Sequence, residues 1–312
     1  MIDLCTLGTG GTIPMPDRAL SSLYVRVNGR ALLIDCGEGT QVGVQRLGWG
    51  IQCIDGLLIT HFHADHCSGL PGMLLALTKS LRTDPLHIYG PVGLTQVVTG
   101  LRVIAPQLSF PVVLHEIDGH SEPFRLIGLE ITPFAVAHGI PCLGYRLHLP
   151  RPAAFDPQKA RALGVPLHCW KLLQRGETVS ADGRIFEPSQ VLGAPRKGIT
   201  VLYATDTRPV PAIPELGRGC DMMILEGMYG PEEKLPLALR NHHMLFREAA
   251  ALAKEAEAAQ LILTHYSTCI SDPLEYLPLA QDVFPAASCA ADGMTWTLKY
   301  PVTECPAQNA EC

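Results

Sequence analysis

No apolar run in this 312-residue chain approaches the roughly 20 residues that a membrane-spanning helix requires. The opening stretch Met1-Ile-Asp-Leu-Cys-Thr-Leu-Gly has no basic region leading into a cleavage site, so the expectation is a cytoplasmic protein without membrane contact. Charge is scarce too. Only 17% of residues are charged against 47% hydrophobic, which argues against extensive disorder and allows a large core. The formal net charge of −6 excludes a surface uniformly dressed for polyanions and leaves room for a local basic patch. Cysteine is plentiful at 11, but the odd count, the chain length and the missing export signal favour reduced thiols over a disulfide scaffold.

Against that background, His61-Phe-His-Ala-Asp-His66 concentrates His61, His63, Asp65 and His66 directly after the apolar run Ile54–Ile59. A loop leaving a buried strand is held by a rigid scaffold, and imidazole with carboxylate suits zinc. His61 and His63 can face one way while Asp65 and His66 face another. That spacing favours a dinuclear centre over a closed four-ligand structural site. Cys67 follows the cluster, and with His66 beside it the thiol reads as a supporting group rather than a ligand.

Strand-like runs rich in Ile, Leu and Val occur at Asp3–Leu7, Ser22–Val27, Arg30–Ile34 and Gly56–Ile59, a pattern of sheet with little helix. A helix is expected over Leu70–Leu81 and another up to about Ile104, with strands at Leu86–Tyr89, Val112–Ile117 and Leu129–Ala135. The rhythm breaks at Phe155–Gly176 and resumes at Gly198–Ala204, Met222–Leu225 and Leu261–Thr264, with a helix over Met244–Glu257. Two halves of strands and helices suggest a four-layer αββα sandwich, an α/β fold. The expected organisation is one domain over residues 1–302, with about 155–176 as a short inserted arm and 303–312 as a loose tail.

A second ion needs ligands from elsewhere, and His138, Asp206 and His265 each follow an apolar run. Singly, each could equally be a polar residue ending a strand. Their shared position strengthens the joint reading.

These residues resemble the metallo-β-lactamase-fold hydrolases and, within them, the ribonuclease Z family of tRNA 3′-processing endonucleases. The resemblance covers about residues 3–300. It rests on Leu7-Gly-Thr-Gly-Gly-Thr-Ile-Pro14, Leu33-Ile-Asp-Cys-Gly-Glu-Gly-Thr-Gln41, His61–His66 with Gly69-Leu-Pro-Gly72, Ala137-His138, Tyr203-Ala-Thr-Asp206-Thr207 and Leu263-Thr-His265. It implies two zinc ions per subunit, one held by His61, His63 and His138, the other by Asp65, His66 and His265, with Asp206 bridging. It further implies that Asp65 helps to orient the nucleophile and that His243, paired with Glu226, donates a proton; His242 competes for that role. Precursor tRNA as substrate and a homodimer are implied in the same way.

Three features depart from the family pattern, one being that the inserted segment is short and only modestly basic. The Gly-Pro element of the family's tRNA-gripping arm is missing from Val165–Gly176, where Lys171 and Arg175, with Lys159 and Arg161, are available for phosphate contacts. After His265 the chain reads Tyr266-Ser-Thr-Cys-Ile270 without the usual arginine, removing one phosphate clamp. Hydrolysis of small or cyclic nucleotide esters by the same dinuclear centre is therefore the alternative activity, and a metal-bound interaction module without catalysis is a third reading.

Overall fold

Strand-forming runs dictate two sheets, and the computed structural model, which describes residues 1–301, shows how they are ordered. The expected tail at 303–312 lies outside the described residues. The first sheet runs β1 (Ile2–Gly8), β2 (Ser22–Val27), β3 (Arg30–Ile34), β4 (Ile54–Leu58), β5 (Leu86–Gly90) and β6 (Val112–Glu116), in that spatial order. The Asn28-Gly29 turn, with φ of 51° and 79°, closes the β2–β3 hairpin because both positions need the left-handed region that Asn and Gly tolerate. From β3 to β6 the pairing is parallel.

In the second sheet β7 (Phe124–Leu126), β8 (Leu129–Ala135) and β9 (Leu143–Arg151) are successive neighbours, β7–β8 and β8–β9 pairing antiparallel. A separate two-stranded hairpin, β10 (Val179–Ala181) and β11 (Arg184–Phe186), comes next in the chain. β12 (Arg196–Ala204), β13 (Met222–Glu226), β14 (Leu261–Thr264) and β15 (Ala287–Cys289) then extend the second sheet in parallel, and the last strand, β16 (Thr295–Leu298), returns to pair with β1.

Strands buried on both faces read as continuous apolar runs, and alternate residues serve different layers. Leu33 and Leu57 join Leu70, Met73, Leu74 and Leu77 of the helix Leu70–Lys79 in one core. Their neighbours Leu32 and Leu58 are also buried and must face the opposite side. There the sheets meet: the Tyr145 hydroxyl donates to the Ile59 carbonyl at 2.7 Å, and the Ser21 and Tyr203 hydroxyls lie 3.3 Å apart. On the far side, Phe246, Ala249, Ala250 and Ala253 of the helix Phe246–Glu255 pack with Leu225 and Leu263. The result is the αββα sandwich of the metallo-β-lactamase fold.

The first half contains more helix than its strand-like runs suggest. Thr40–Leu47 is helical, yet only Thr40 and Val44 are buried in it, so it carries no apolar stripe to read. A Cβ added at Gly43 would lie 3.2 Å from the Leu7 Cβ, so this helix sits close on β1.

Residues Pro150–Ile199, with 299–301, form a compact unit of their own. Its small core contains Ala160, Val165, Cys169, Leu173 and Val191, and it draws Val179 and Phe186 from the β10–β11 hairpin, which makes the unit wider than 155–176. Residues 150–199 hold eight Arg or Lys against four Asp or Glu, a basic excess within an acidic chain. Among the described residues, no helix is long and apolar enough to cross a membrane.

Candidate metal centre

Five strands deliver polar side chains at their carboxyl ends, where open α/β sheets place ligands. Asp35 follows β3, His61–His66 follow β4, Asp206 follows β12, Glu226 ends β13 and His265 follows β14. His138 comes three residues after β8. Asp35, Asp206 and His265 have φ of 62°, 55° and 55°, a left-handed conformation that is costly for residues with a Cβ. Such strain persists where the surroundings over-determine it, and here it falls at three residues of one cluster.

The ligand atoms fall into overlapping groups, each within 4.8 Å: His61, His63 and His138; His61, His66 and Asp206; Asp65, His66 and His265; and Asp206, His243 and His265. Asp206 thus lies between the two triads, with Oδ2 3.2 Å from Nε2 of both His66 and His265 and Oδ1 4.0 Å from Nε2 of His61. Cys67 donates its thiol to the His63 carbonyl at 3.3 Å, and burial pushes its pKa up to about 11. It touches the cluster without presenting a thiolate to it.

A cation fits this donor set. Nε2 of His66 and His265 face each other at 3.1 Å, and Nδ1 of His63 lies 3.1 Å from His61 Nε2 and 3.2 Å from His138 Nε2. Ring nitrogens so placed share a proton as N–H···N or direct their lone pairs at a cation between them. Asp206 Oδ2 is buried without a hydrogen-bond partner. The electrostatics agree. Burial, together with the neighbouring His66, drives the His61 pKa down to about 2, keeping an imidazole lone pair free. His138 falls to about 4, chiefly through burial. Burial opposes charge on His66 as well, but the Asp206 and Asp35 carboxylates outweigh it and raise its pKa, a demand for positive charge that a divalent ion can meet. For Asp65 the burial penalty is overcome by the imidazoles of His265 and His66, which hold its carboxyl below the usual range.

Asp35 has a role here that no motif reading assigned. It is fully buried and accepts from His66 Nδ1 at 2.8 Å and from the Thr60 amide at 2.8 Å, which leaves His66 Nε2 aimed at the cluster. The available signal was a carboxylate ending the apolar run Leu32-Leu33-Ile34, as Asp206 ends its own. Asp35→Asn is expected to weaken metal affinity by about 10–100-fold, read by competition with a chromogenic chelator. Unchanged affinity would reduce Asp35 to a core-stabilising group.

The amino-terminal glycines serve the same site. A Cβ on Gly11 would come within 2.7 Å of His265 Cε1, so only glycine lets this loop lie against the imidazole. The next amide, Thr12 N–H, donates to Asp65 Oδ2 at 2.7 Å. The residue after His265 is the buried Tyr266, and Arg18 holds the following segment by donating to the Ile270 and Ser271 carbonyls at 3.0 and 3.2 Å.

His243 stands beside the cluster rather than within either triad. Its Nδ1 is 2.8 Å from Glu226 Oε2, while the fully buried Glu226 also accepts the Thr207 amide at 2.6 Å. Burial opposes its charge, but Glu226 prevails and lifts the His243 pKa to about 9. His242 is exposed and caps the preceding helix Leu235–Asn241 in a left-handed conformation, φ 60°.

Residues 2–99 match a family model described as anti-Pycsar protein Apyc1, and residues 180–266 match a β-lactamase superfamily domain. The chain is 46% identical over 300 residues to ribonuclease Z of Lachnospira eligens, covering 96% of this chain and 99% of that one. It is 44% identical over 304 residues to ribonuclease Z of Lachnoclostridium phytofermentans, covering 97% and 100%. The short form of human tRNase Z superposes with a TM-score of 0.68 at 24% identity, covering 96% of this chain and 100% of that one, a likeness of fold.

Proposed function

Because the chain belongs to the ribonuclease Z family, we propose that it is a metal-dependent endoribonuclease that removes the 3′ trailer of precursor tRNA. The observation that carries the chemistry is the His243–Glu226 pair beside two clusters of ligand-type side chains, with Asp206 within reach of both. Two zinc ions per subunit suit the sites, His61, His63 and His138 holding one, Asp65, His66 and His265 the other, and Asp206 both. Such ions, when bound, supply Lewis-acid stabilisation of the phosphoryl charge and acidify water.

The chain's own groups do the rest. Asp65, steadied by the Thr12 amide, orients the attacking water and can accept its proton. As the water oxygen bonds to phosphorus and the P–O3′ bond breaks, the leaving oxygen needs a proton. His243 supplies one from Nε2 as the imidazolium: Glu226 accepts the Nδ1 proton and lifts the ring's pKa to about 9, so both ring nitrogens are protonated near neutral pH. The basic excess of residues 150–199 supports their role as a tRNA-binding arm through phosphate contacts from Lys159, Arg161, Lys171 and Arg175. Action in the cytoplasm and as a homodimer complete the reading, which the family relationship supports.

Metal-loaded protein should cleave precursor tRNA at the 3′ end of the acceptor stem and also hydrolyse bis(p-nitrophenyl) phosphate. Hydrolysis of the small ester without any tRNA processing would overturn the tRNA reading and favour small nucleotide esters instead.

A further inference from the structure

Three loops of the site are fastened to one another by residues outside the ligand set. The Thr207 hydroxyl accepts from the Ala137 amide at 2.9 Å, and the Arg208 amide donates to the Ala137 carbonyl at 2.9 Å, joining the loop of His138 to that of Asp206. The Arg208 guanidinium then reaches the third loop. It donates to the His243 carbonyl, and it grips Glu248 at two points, one of them Nη1 to Oε2 at 2.8 Å. The same Oε2 accepts the Leu245 amide at 2.9 Å. Both side chains are largely shielded, at 17% and 23% exposure.

We infer that the Arg208–Glu248 ion pair is a positioning device for His243, setting where its imidazole meets the leaving oxygen. The inference rests on His243 being the proton donor. His243 lies on the short connection between the helices Leu235–Asn241 and Phe246–Glu255, where its amide donates to the Ala238 carbonyl at 2.9 Å and its carbonyl accepts from Arg208. Glu248 is in the first turn of the second helix, so its carboxylate moves with a rigid element. Arg208 follows Asp206 by two residues, so its backbone moves with the metal loop. A planar guanidinium that holds both a carboxylate and a carbonyl fixes the distance between those elements; a lysine ammonium keeps the charge but has no fork with which to do so. Proton donation tolerates little misplacement, and displacement of about 1 Å can cost up to ~10²-fold in rate.

The leaving group separates positioning from general structural support. A ribose 3′-oxygen leaves poorly without a proton, whereas p-nitrophenolate leaves readily without one. Arg208→Lys and Glu248→Gln are each expected to lower kcat on precursor tRNA by about tenfold or more, with KM little changed. On bis(p-nitrophenyl) phosphate the loss should stay within about twofold, with metal content and thermal midpoint near those of the parent. Adding Arg208→Lys to His243→Ala should cost nothing further on tRNA. Equal losses on both substrates, loss of metal, or additivity with His243→Ala would overturn the inference, as would unchanged tRNA cleavage. If His243→Ala itself fails to discriminate between the substrates, the proton-donor assignment fails, a result distinguishable from failure of the clamp.

Discussion

His243→Ala is expected to lower turnover of precursor tRNA by roughly 10²–10⁴-fold, the usual worth of a positioned general acid, while both metal equivalents remain bound. The side chain makes its short contact to Glu226, 2.8 Å from Nδ1, and approaches Asp206 only at 3.9 Å, so its removal leaves the His61–His63–His138 and Asp65–His66–His265 groups intact. Hydrolysis of bis(p-nitrophenyl) phosphate should fall far less. Elemental analysis alongside the kinetics decides the matter: loss of a metal equivalent together with activity would make His243 a ligand of the group it forms with Asp206 and His265. Glu226→Gln should follow the same substrate pattern more mildly, because the amide can still accept from Nδ1 but no longer favours the protonated ring.

Asp206→Ala is expected to have the broadest effect. This carboxylate lies within reach of His61 of one triad and of His66 and His265 of the other, and the imidazoles of His265, His66 and His61 outweigh its burial and hold its pKa well below the usual carboxylate range. Without it, the His61–His63–His138 group would have no anionic donor, the other group would keep only Asp65, and adjacent cations would share no anion. The expected result is loss of at least one metal equivalent and a fall in turnover on the order of 10³-fold or more on both substrates. Retention of two equivalents with only a modest change in rate would refute the bridging assignment. Asp206→Asn is a useful companion, since it preserves shape and removes the charge alone.

Much of the architecture was legible because it is local. Runs such as Ser22–Val27, Arg30–Ile34 and Leu261–Thr264 coincide with strands β2, β3 and β14, each being an apolar segment ended by turn residues or a polar side chain. The helix Thr40–Leu47 was not legible, since only two of its residues are buried. Nor was the width of the basic unit at 150–199, because its hairpin joins a small core through only Val179 and Phe186 among its buried residues.

The division within the site follows the same physics. By itself the sequence determined the identity of the ligand-type residues and their placement after apolar runs, because strand formation and the exit of a polar residue are decided by neighbours along the chain. The family resemblance had already grouped His265 with Asp65 and His66, whereas only the tertiary structure decided that Asp35 stands behind His66 across 31 residues and that Glu248 is locked to Arg208 across 40. Those distances depend on which strands pair and how two sheets stack, and a hydrogen bond across such a separation leaves no periodic trace in the residues that make it.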